Sequence, residues 1–489
     1  MPALSCPEGS DALQLPPRSA RIAGEADVLV VGGGPAGLGA ALGAAMAGAQ
    51  VILAERYGFL GGNATAALVT LFVSFHTHRP CSEPLRAINL WPVDHGPGEP
   101  TIGGVLEIFL KRMVERGGAI PPSLNTGYVT PFDPEIFKLV ALELLDDAGI
   151  HFLLHSLAAD VISSGKVEGV AFETKSGPVV VKARMVIDCT GDGDVAVKAG
   201  AVYDVGREGD GLVQPMTLMF RMDDFEKDAF EAYVKEHPDQ WHGVHGLQDL
   251  ISKAIEAGEL DLPREDILFF GGLREHEVIV NSTRITRVLG KDVWDLTYAE
   301  AEGRRQMHQI AAFLRRYVPG FERSYILQSG VNIGVRETRR IRGDYQLTAE
   351  DILQARTFDD VIARGSYPLD IHNPTGVGTV LKRLPAGAAY DIPLRCLLPV
   401  GIDNLLVAGR CISGTHEAHS SYRVMPIAMA TGQAAGVCAA LASLSRKSTR
   451  EVFIEDVQCE LIRQGANLRE LSWLFHKDDR GESTVPLAR

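Results

Sequence analysis

The sequence predicts an α/β fold built on a parallel sheet, with a second α+β lobe inserted into it. Three stretches predict this. Residues 28–31 (VLVV) form a short apolar run that reads as a buried parallel strand; the turn Gly32-Gly-Gly-Pro-Ala-Gly37, a small-residue helix and a second strand over 51–54 follow. Residues 185–194 read as a strand running into another glycine turn. Residues 404–409 read as a strand ending in a third.

Each position of the first turn has a physical task. Gly32 permits the tight turn, Gly34 lets backbone approach a pyrophosphate, and Gly37 lets helix and strand pack closely. The helix amino end offers free N–H groups and a positive dipole end to phosphate. Glu55 ends the second strand at about the usual spacing, roughly 20 residues on, where it can accept from both hydroxyls of an adenosine ribose. Flanking strands, helix and acid make this a Rossmann-like dinucleotide unit. An acid at that place disfavours the 2′-phosphate of NADP, and FAD and NAD both stay open from this stretch alone.

At 489 residues the chain predicts two or three joined lobes. A formal net charge of −14 argues against nucleic acid or an anionic membrane surface as partner. Residues 28–54 carry no charged side chain, but their glycines and proline fit the dinucleotide unit better than a membrane span. Residues 1–26 have no apolar signal core and read as an arm, or as a contact to another subunit in a homo-oligomer. Seven scattered cysteines with no C-x-x-C pair argue against a disulfide framework, zinc or iron–sulfur, so no metal site is expected and the compartment is a reducing cytoplasm.

After Glu55 a glycine loop, 56–65, suits backbone passing a flat ligand; residues up to about 100 are irregular, an excursion over the nucleotide lobe. Helices are expected over 104–116 and from the Asp133-Pro-Glu cap to Gly149, then a strand at 151–155 and a three-stranded antiparallel meander over 157–186. That meander is the anatomy of a flavin domain more than of an NAD dehydrogenase. Residues 200–327 form another lobe, with strands at 217–221 and 278–281 and a helix over 297–317 begun by a Thr297/Glu300 capping box. Residues 410–423 read as a polar loop. A helix over 425–441, with proline in its first turn, aims unpaired N–H groups at whatever precedes it. The expected division is an arm (1–25), a first nucleotide part (26–200), a substrate or cap lobe (201–330), a returning part (331–445) and a helical tail (446–489).

The motifs VVGGGPAG, GGNAT, VIDCTGDGDVA, YPLDIH, NLLVAGRCIS and RVMPIAMATGQAAG resemble the FAD-dependent oxidoreductase family, related to fumarate reductase and succinate dehydrogenase flavoproteins in the glutathione reductase superfamily. The resemblance covers most of residues 27–441. It implies a glutathione-reductase-type FAD domain with pyrophosphate at Gly32, Gly34, Pro35, Ala36 and Gly37, and ribose at Glu55 beside Arg56. It places ribityl and isoalloxazine past Gly62, Asn63, Ala64 and Thr65, and adenine at Ala158. It puts the adenosine end at Thr190, Gly191 and Asp192, the ribityl chain at Gly409 and Arg410, and the flavin pyrimidine over Met425 to Ile427. Two departures stand out. Many relatives carry an acid at Arg410, and residues 61–67 lack the histidine that tethers flavin in some of them, which implies non-covalent FAD.

Hydride transfer needs a polarising cation and a proton donor or acceptor near the substrate. The stretch 413–423 supplies both, with Arg423, His416 and His419 as candidates; Arg423 aligns with an arginine that contacts substrate and flavin in fumarate-reductase-like proteins. Asp370 and His372 alternate onto one strand face and read first as a polar cluster. Arg336, Arg339, Arg340 and Arg342 read as a solvated or interlobe run from which one arginine could grip a substrate carboxylate. Cys411 reads as a small buried hydrophobe. The expected function is hydride transfer between flavin and a small organic molecule, with the electron partner unspecified. A flavin monooxygenase is the alternative within enzymes; FAD chemistry without net redox change and a pure NAD dehydrogenase are the others.

Overall fold

The computed structural model describes residues 16–78, 90–91, 98–376 and 378–471. The outer part of the expected arm, most of the excursion before residue 100, the last residues of the tail, and Cys6 and Cys81 lie outside the described residues.

The parallel core follows the glycine motifs. Arg21–Val31, Val51–Ala54 and His151–Leu153 lie side by side, and Gly177–Asp188 flanks Arg21–Val31 on its other edge, all parallel. Gly177–Asp188 is long enough to have two partners along its free edge. Its first half closes the antiparallel meander with Val167–Thr174 and Leu157–Ser163, and its last residues pair in parallel with Leu405–Val407. The meander is thus welded to the parallel core by one shared strand. The first strand begins at Arg21 rather than at residue 28, because residues 21–26 extend the ladder along 179–183. That part of the expected arm is sheet.

Two helices pack on this sheet at unusually close range. Pro35–Met46 and Met425–Ser445 cross through glycines on both sides. A Cβ on Gly432 would stand 2.0 Å from the Ala36 carbonyl oxygen, one on Gly436 2.1 Å from that of Ala40, and one on Gly39 2.1 Å from that of Met429. Glycine inside a helix costs about 1 kcal/mol against alanine, so these positions are occupied for the close approach. Met425–Ser445 is long and apolar enough to cross a membrane, yet 83% of its most apolar window is buried within the protein. It is a core helix here.

The other lobe has its own core. An antiparallel six-stranded sheet runs Trp241–His242, His245–Gly246, Ile267–Gly271, Val278–Val280, Phe220–Asp223, Tyr325–Ser329. Phe225, Phe230, Phe269 and Phe321 pack beneath it with Met307, Ile310 and Leu314 of the long helix Val293–Tyr317. That helix starts a turn earlier than the expected capping box. Asp292 caps it, accepting from the amides of Trp294 and Asp295, while Thr297 donates to the Val293 carbonyl and Glu300 accepts from the Ile333 amide. Residues 410–423 are likewise more ordered than a loop: Gly409–Cys411 is a 3-10 turn and His416–Tyr422 a helix capped by Thr415. The helix after it runs to Ser445, four residues past the expected end.

Gly432→Ala gains helix propensity but puts a methyl into the Ala36 backbone. Overpacking of this kind costs about 1–3 kcal/mol. A lower urea midpoint for Gly432→Ala than for the wild type is the expected outcome; an unchanged midpoint would show that the helices separate freely.

Candidate functional site

The crossing sets the amino ends of both helices against one groove. Neither end carries a side-chain cap, and Pro35 and Pro426 stand in the first turns, so backbone N–H groups are left for a ligand. The glycine turn is built for the same purpose. Gly32 has φ +104°, and a Cβ there would meet the Cys189 carbonyl oxygen at 2.4 Å. A Cβ on Gly37 would collide with the Gly32 carbonyl oxygen at 1.7 Å. Gly34 differs. A Cβ there would meet nothing closer than the Gly62 Cα at 3.6 Å. Its side of the turn is bare because the groove, not the protein, occupies that space.

Glu55 is buried and holds this turn, accepting from the amides of Gly33 (2.6 Å) and Tyr57 (2.9 Å). Burial raises its pKa, with those two bonds and Arg56 opposing. Beside the first turn, Asp188 shapes the second glycine turn. Its carboxylate accepts from the Thr190 amide and hydroxyl and from the Ala196 amide at 3.0, 2.6 and 2.8 Å. With amides but no cation beside it, burial pushes Asp188 up to about 6.

Gly32, Gly34, Pro35, Ala36, Glu55, Arg56, Gly62, Asn63, Ala158, Thr190, Gly191, Gly409, Arg410, Arg423 and Met425 all line this groove. Tyr57, Ser156 and Asp194 line it as well; Tyr57 and Asp194 lie within the stretches 56–65 and 185–194 without being among the expected contacts, and Ser156 lies in neither. The other expected contacts stand behind the wall. Gly37 packs on Gly32, Ala64 and Ile427 are core, and the Thr65 hydroxyl donates to the Leu60 carbonyl at 2.8 Å. Asp192 accepts from Thr338 (2.8 Å) and from Arg410 (2.9 Å). The acid–arginine inversion at 410 is therefore answered by Asp192. Gly191 makes room for that guanidinium, since a Cβ there would stand 2.7 Å from Arg410 Nη2.

A larger cavity of about 580 Å³ opens from the inner end of the groove, and Asn63, Arg410, Arg423 and Met425 line both. Its polar wall is the hairpin Leu369–His372/Thr379–Lys382. Asp370 Oδ2 accepts from the Tyr367 hydroxyl at 2.9 Å and has His372 Nε2 at 3.5 Å and Arg423 Nη2 at 3.6 Å. Burial alone would raise the Asp370 pKa, but His372, Arg423 and Tyr367 hold it far below the usual carboxylate range. Burial pushes His372 down to about 4 against the pull of Asp370, so the imidazole is neutral near pH 7. Burial and Asp370 push the Tyr367 phenol well up.

The other candidates separate cleanly. Arg336 lines the cavity; Arg339 does not, and pairs with Asp194 at 3.2 Å. The arginine run is not a solvated face throughout: Arg340 is buried with Glu337 and donates to the Gly206 and Gly414 carbonyls, while Arg342 is exposed on Asp204. His416 and His419 line neither groove nor cavity. His416 Nδ1 sits 2.9 Å from the Glu337 carboxylate, and His419 is buried edge-on to Tyr422 with no partner for Nδ1. Burial, then Arg340, drives the His419 pKa well down. Cys411 is buried, and burial pushes its thiol well up.

The bare flank of Gly34, two uncapped helix ends and a buried acid at the ribose distance fit a dinucleotide pyrophosphate. A family match agrees. The FAD dependent oxidoreductase family model matches residues 27–461. Thiamine thiazole synthases of Methanococcus vannielii and Methanococcus aeolicus are each 30% identical, over 178 and 177 residues, 34% of this chain and 56% and 55% of theirs. The chain thus spans little more than half the length of these curated relatives. Among solved structures, a geranylgeranyl bacteriochlorophyll reductase-like protein from Thermoplasma acidophilum is 14% identical with TM-score 0.44, covering 91% of this chain and 84% of that one. A triple mutant of a flavin-dependent brominase is 10% identical with TM-score 0.46, covering 89% and 85%.

Gly34→Ala should fold as the wild type does, because its φ of −75° suits any residue and the methyl meets no protein atom within 3.6 Å. It should purify with markedly less flavin, and Gly34→Val with none; full occupancy in both would place the pyrophosphate elsewhere. A second expectation concerns acid. His76 and His372 both have folded pKa values pushed from 6.5 to about 4 by burial, so protons bind the unfolded chain first. Their stabilisation is complete above about pH 6.5 and is lost as pH falls towards 4, on the order of 3 kcal/mol each. Urea midpoints should drop steeply between pH 6.5 and 4 and less so in His372→Gln; an identical slope would mean that His372 is not held neutral.

Proposed function

The chain belongs to the FAD dependent oxidoreductase family, and from that premise we propose that it transfers a hydride between FAD and a small organic substrate seated in the larger cavity. The observation that carries this reading is that groove and cavity share Asn63, Arg410, Arg423 and Met425. A cofactor lying along the groove and a molecule in the cavity would meet at those four residues. The reading takes the FAD as non-covalent, supported by a groove lining without histidine among the described residues. It also takes the nucleotide domain as glutathione reductase type, on the side of that superfamily holding fumarate reductase and succinate dehydrogenase flavoproteins; the motif series in the sequence supports this.

Bound FAD would supply the hydride acceptor or donor. The protein's own groups handle charge and protons. Arg423 and the uncapped amino end of Met425–Ser445 put positive potential where the two spaces join, so negative charge appearing there during transfer is stabilised by groups already in place. His372 is neutral and lines the cavity with Thr379, whose hydroxyl stands 3.3 Å from Nδ1, so a proton released by the substrate can reach Nδ1 by way of that hydroxyl while Nε2 faces Asp370. Asp370, 3.5 Å away, would stabilise the imidazolium that results. Tyr367 donates to the same Asp370 oxygen and keeps that carboxylate facing the pair. His372 thus takes the acid–base role first assigned to His416 and His419. Ser420 Oγ accepts from the Asp370 amide at 3.1 Å and Ser421 Oγ donates to the Tyr367 carbonyl at 2.5 Å, which fixes the base of the hairpin on helix His416–Tyr422.

The test starts from the visible spectrum of the purified protein and anaerobic reduction by a panel of small metabolites. With a reducing substrate in hand, Arg423→Ala should keep near-normal flavin occupancy and slow single-turnover reduction about 100- to 1000-fold, or about 2.7–4 kcal/mol. Arg423→Lys keeps the charge without the planar fork and should restore part of the rate. Near-normal reduction by Arg423→Ala would remove this residue from the mechanism; a colourless wild type would remove the reading.

A further inference from the structure

The larger cavity is cationic in an acidic protein. Arg264, Arg284, Arg336, Arg410 and Arg423 face Glu265, Asp266 and Asp370 across its lining, five positive groups against three negative, in a chain of net charge −14. Two of the five are answered by the protein: Arg264 by Asp266 at 2.9 Å and Arg410 by Asp192 at 2.9 Å. Among the described residues Arg423 has only Asp370, at 3.6 Å, as carboxylate partner, and its buried Nε has no acceptor. Arg336 has no carboxylate partner among the described residues. Its Nη1 donates to the Pro215 carbonyl (2.6 Å) and the Thr217 hydroxyl (2.5 Å), and its other N–H groups find no acceptor among the described residues. Asp370 attracts it through space but makes no ion pair with it among the described residues, and Tyr367, His372 and Arg423 already crowd one oxygen of that carboxylate.

We propose that the cavity binds an organic anion whose carboxylate seats on Arg336, with Arg423 as the second cation. This rests on the hydride-transfer reading and names its substrate class. A guanidinium with one edge fastened to the protein and the other free presents the paired N–H geometry that a carboxylate accepts bidentately. Burying such a cation beside another is costly unless an anion joins them. Burial and then Arg423 push the Arg336 pKa down to about 9, with Asp370 opposing. The rest of the lining decides between organic and inorganic anions: Leu71, Val73, Met219 and Phe270 give the ligand an apolar body to bury.

Calorimetric titration of the FAD-loaded protein tests this with acetate, benzoate and succinate, their amides, and chloride. At least one carboxylate should bind about tenfold or more tightly than its amide, the range of a charged hydrogen bond. Arg336→Met should erase that preference without loss of flavin, and Arg336→Lys should keep a reduced one. Equal affinity for acid and amide, no binding of either, or binding of chloride alone would overturn the inference, as would an undiminished preference in Arg336→Met. Should that variant not accumulate, the wild-type ratio and its decrease in Arg336→Lys still decide. Flavin reduced by uncharged substrates while carboxylates are ignored would sink this inference alone. Carboxylate binding with a flavin that no substrate reduces would sink the reading beneath it.

Discussion

Everything at the site depends on how closely two helices cross. Pro35–Met46 and Met425–Ser445 come from opposite ends of the chain, and only glycine at 39, 432 and 436 lets their backbones touch. The crossing sets two amino ends on one groove. A separation wider by the thickness of one side chain would move the second amino end off the ligand that the first one holds. Buried amides tie the helices to their surroundings: Gln433 accepts from the Val105 amide and donates to Gln464, which donates in turn to the Gly43 carbonyl. Removing one member would leave buried polar partners unpaired, which penalises any sliding of the pair.

Much of this was legible in the sequence because local rules were enough. Residues 28–55 announced strand, turn, helix and acid through spacing alone, and the meander announced itself through its turns. The alternation that put Asp370 and His372 on one face was also right, since period two is a property of the strand itself. What alternation does not reveal is which cavity that face meets. The cavity wall comes from residues far apart in sequence, such as Asn63, Thr217, Arg284 and Arg336, and no local pattern links them.

The histidines show the converse. His416 and His419 lie in a stretch rich in polar residues, which reads as a reactive loop. In fact residues 416–422 form a helix, so His416 turns to Glu337 and His419 into the core against Tyr422. Thr415 followed by Glu417 was a cap and a first-turn acid, the signal that could have revealed the helix. The arginine run misled for a related reason. Arg339–Ile341 is a short strand paired with Tyr203–Val205, which half-buries Arg339 on Asp194 and buries Arg340 on Glu337, while Arg342, just past its end, lies exposed.

Two carboxylates show how this protein separates structure from chemistry. Asp188 is surrounded by amides and a hydroxyl with no cation in contact, its pKa stands near 6, and its work is to fold a turn. Asp370 is partly buried, faces His372 and Arg423 and stays ionised far below the usual range. The first arrangement is stable with the ligand absent. The second is not self-sufficient, because one carboxylate stands against two guanidinium groups, Arg423 at 3.6 Å and Arg336, which makes no ion pair among the described residues. A fold selected for stability alone would replace such cations with apolar side chains at little cost or at a gain. Their retention beside a cavity continuous with the nucleotide groove is what a site looks like when part of its electrostatic balance arrives with the substrate.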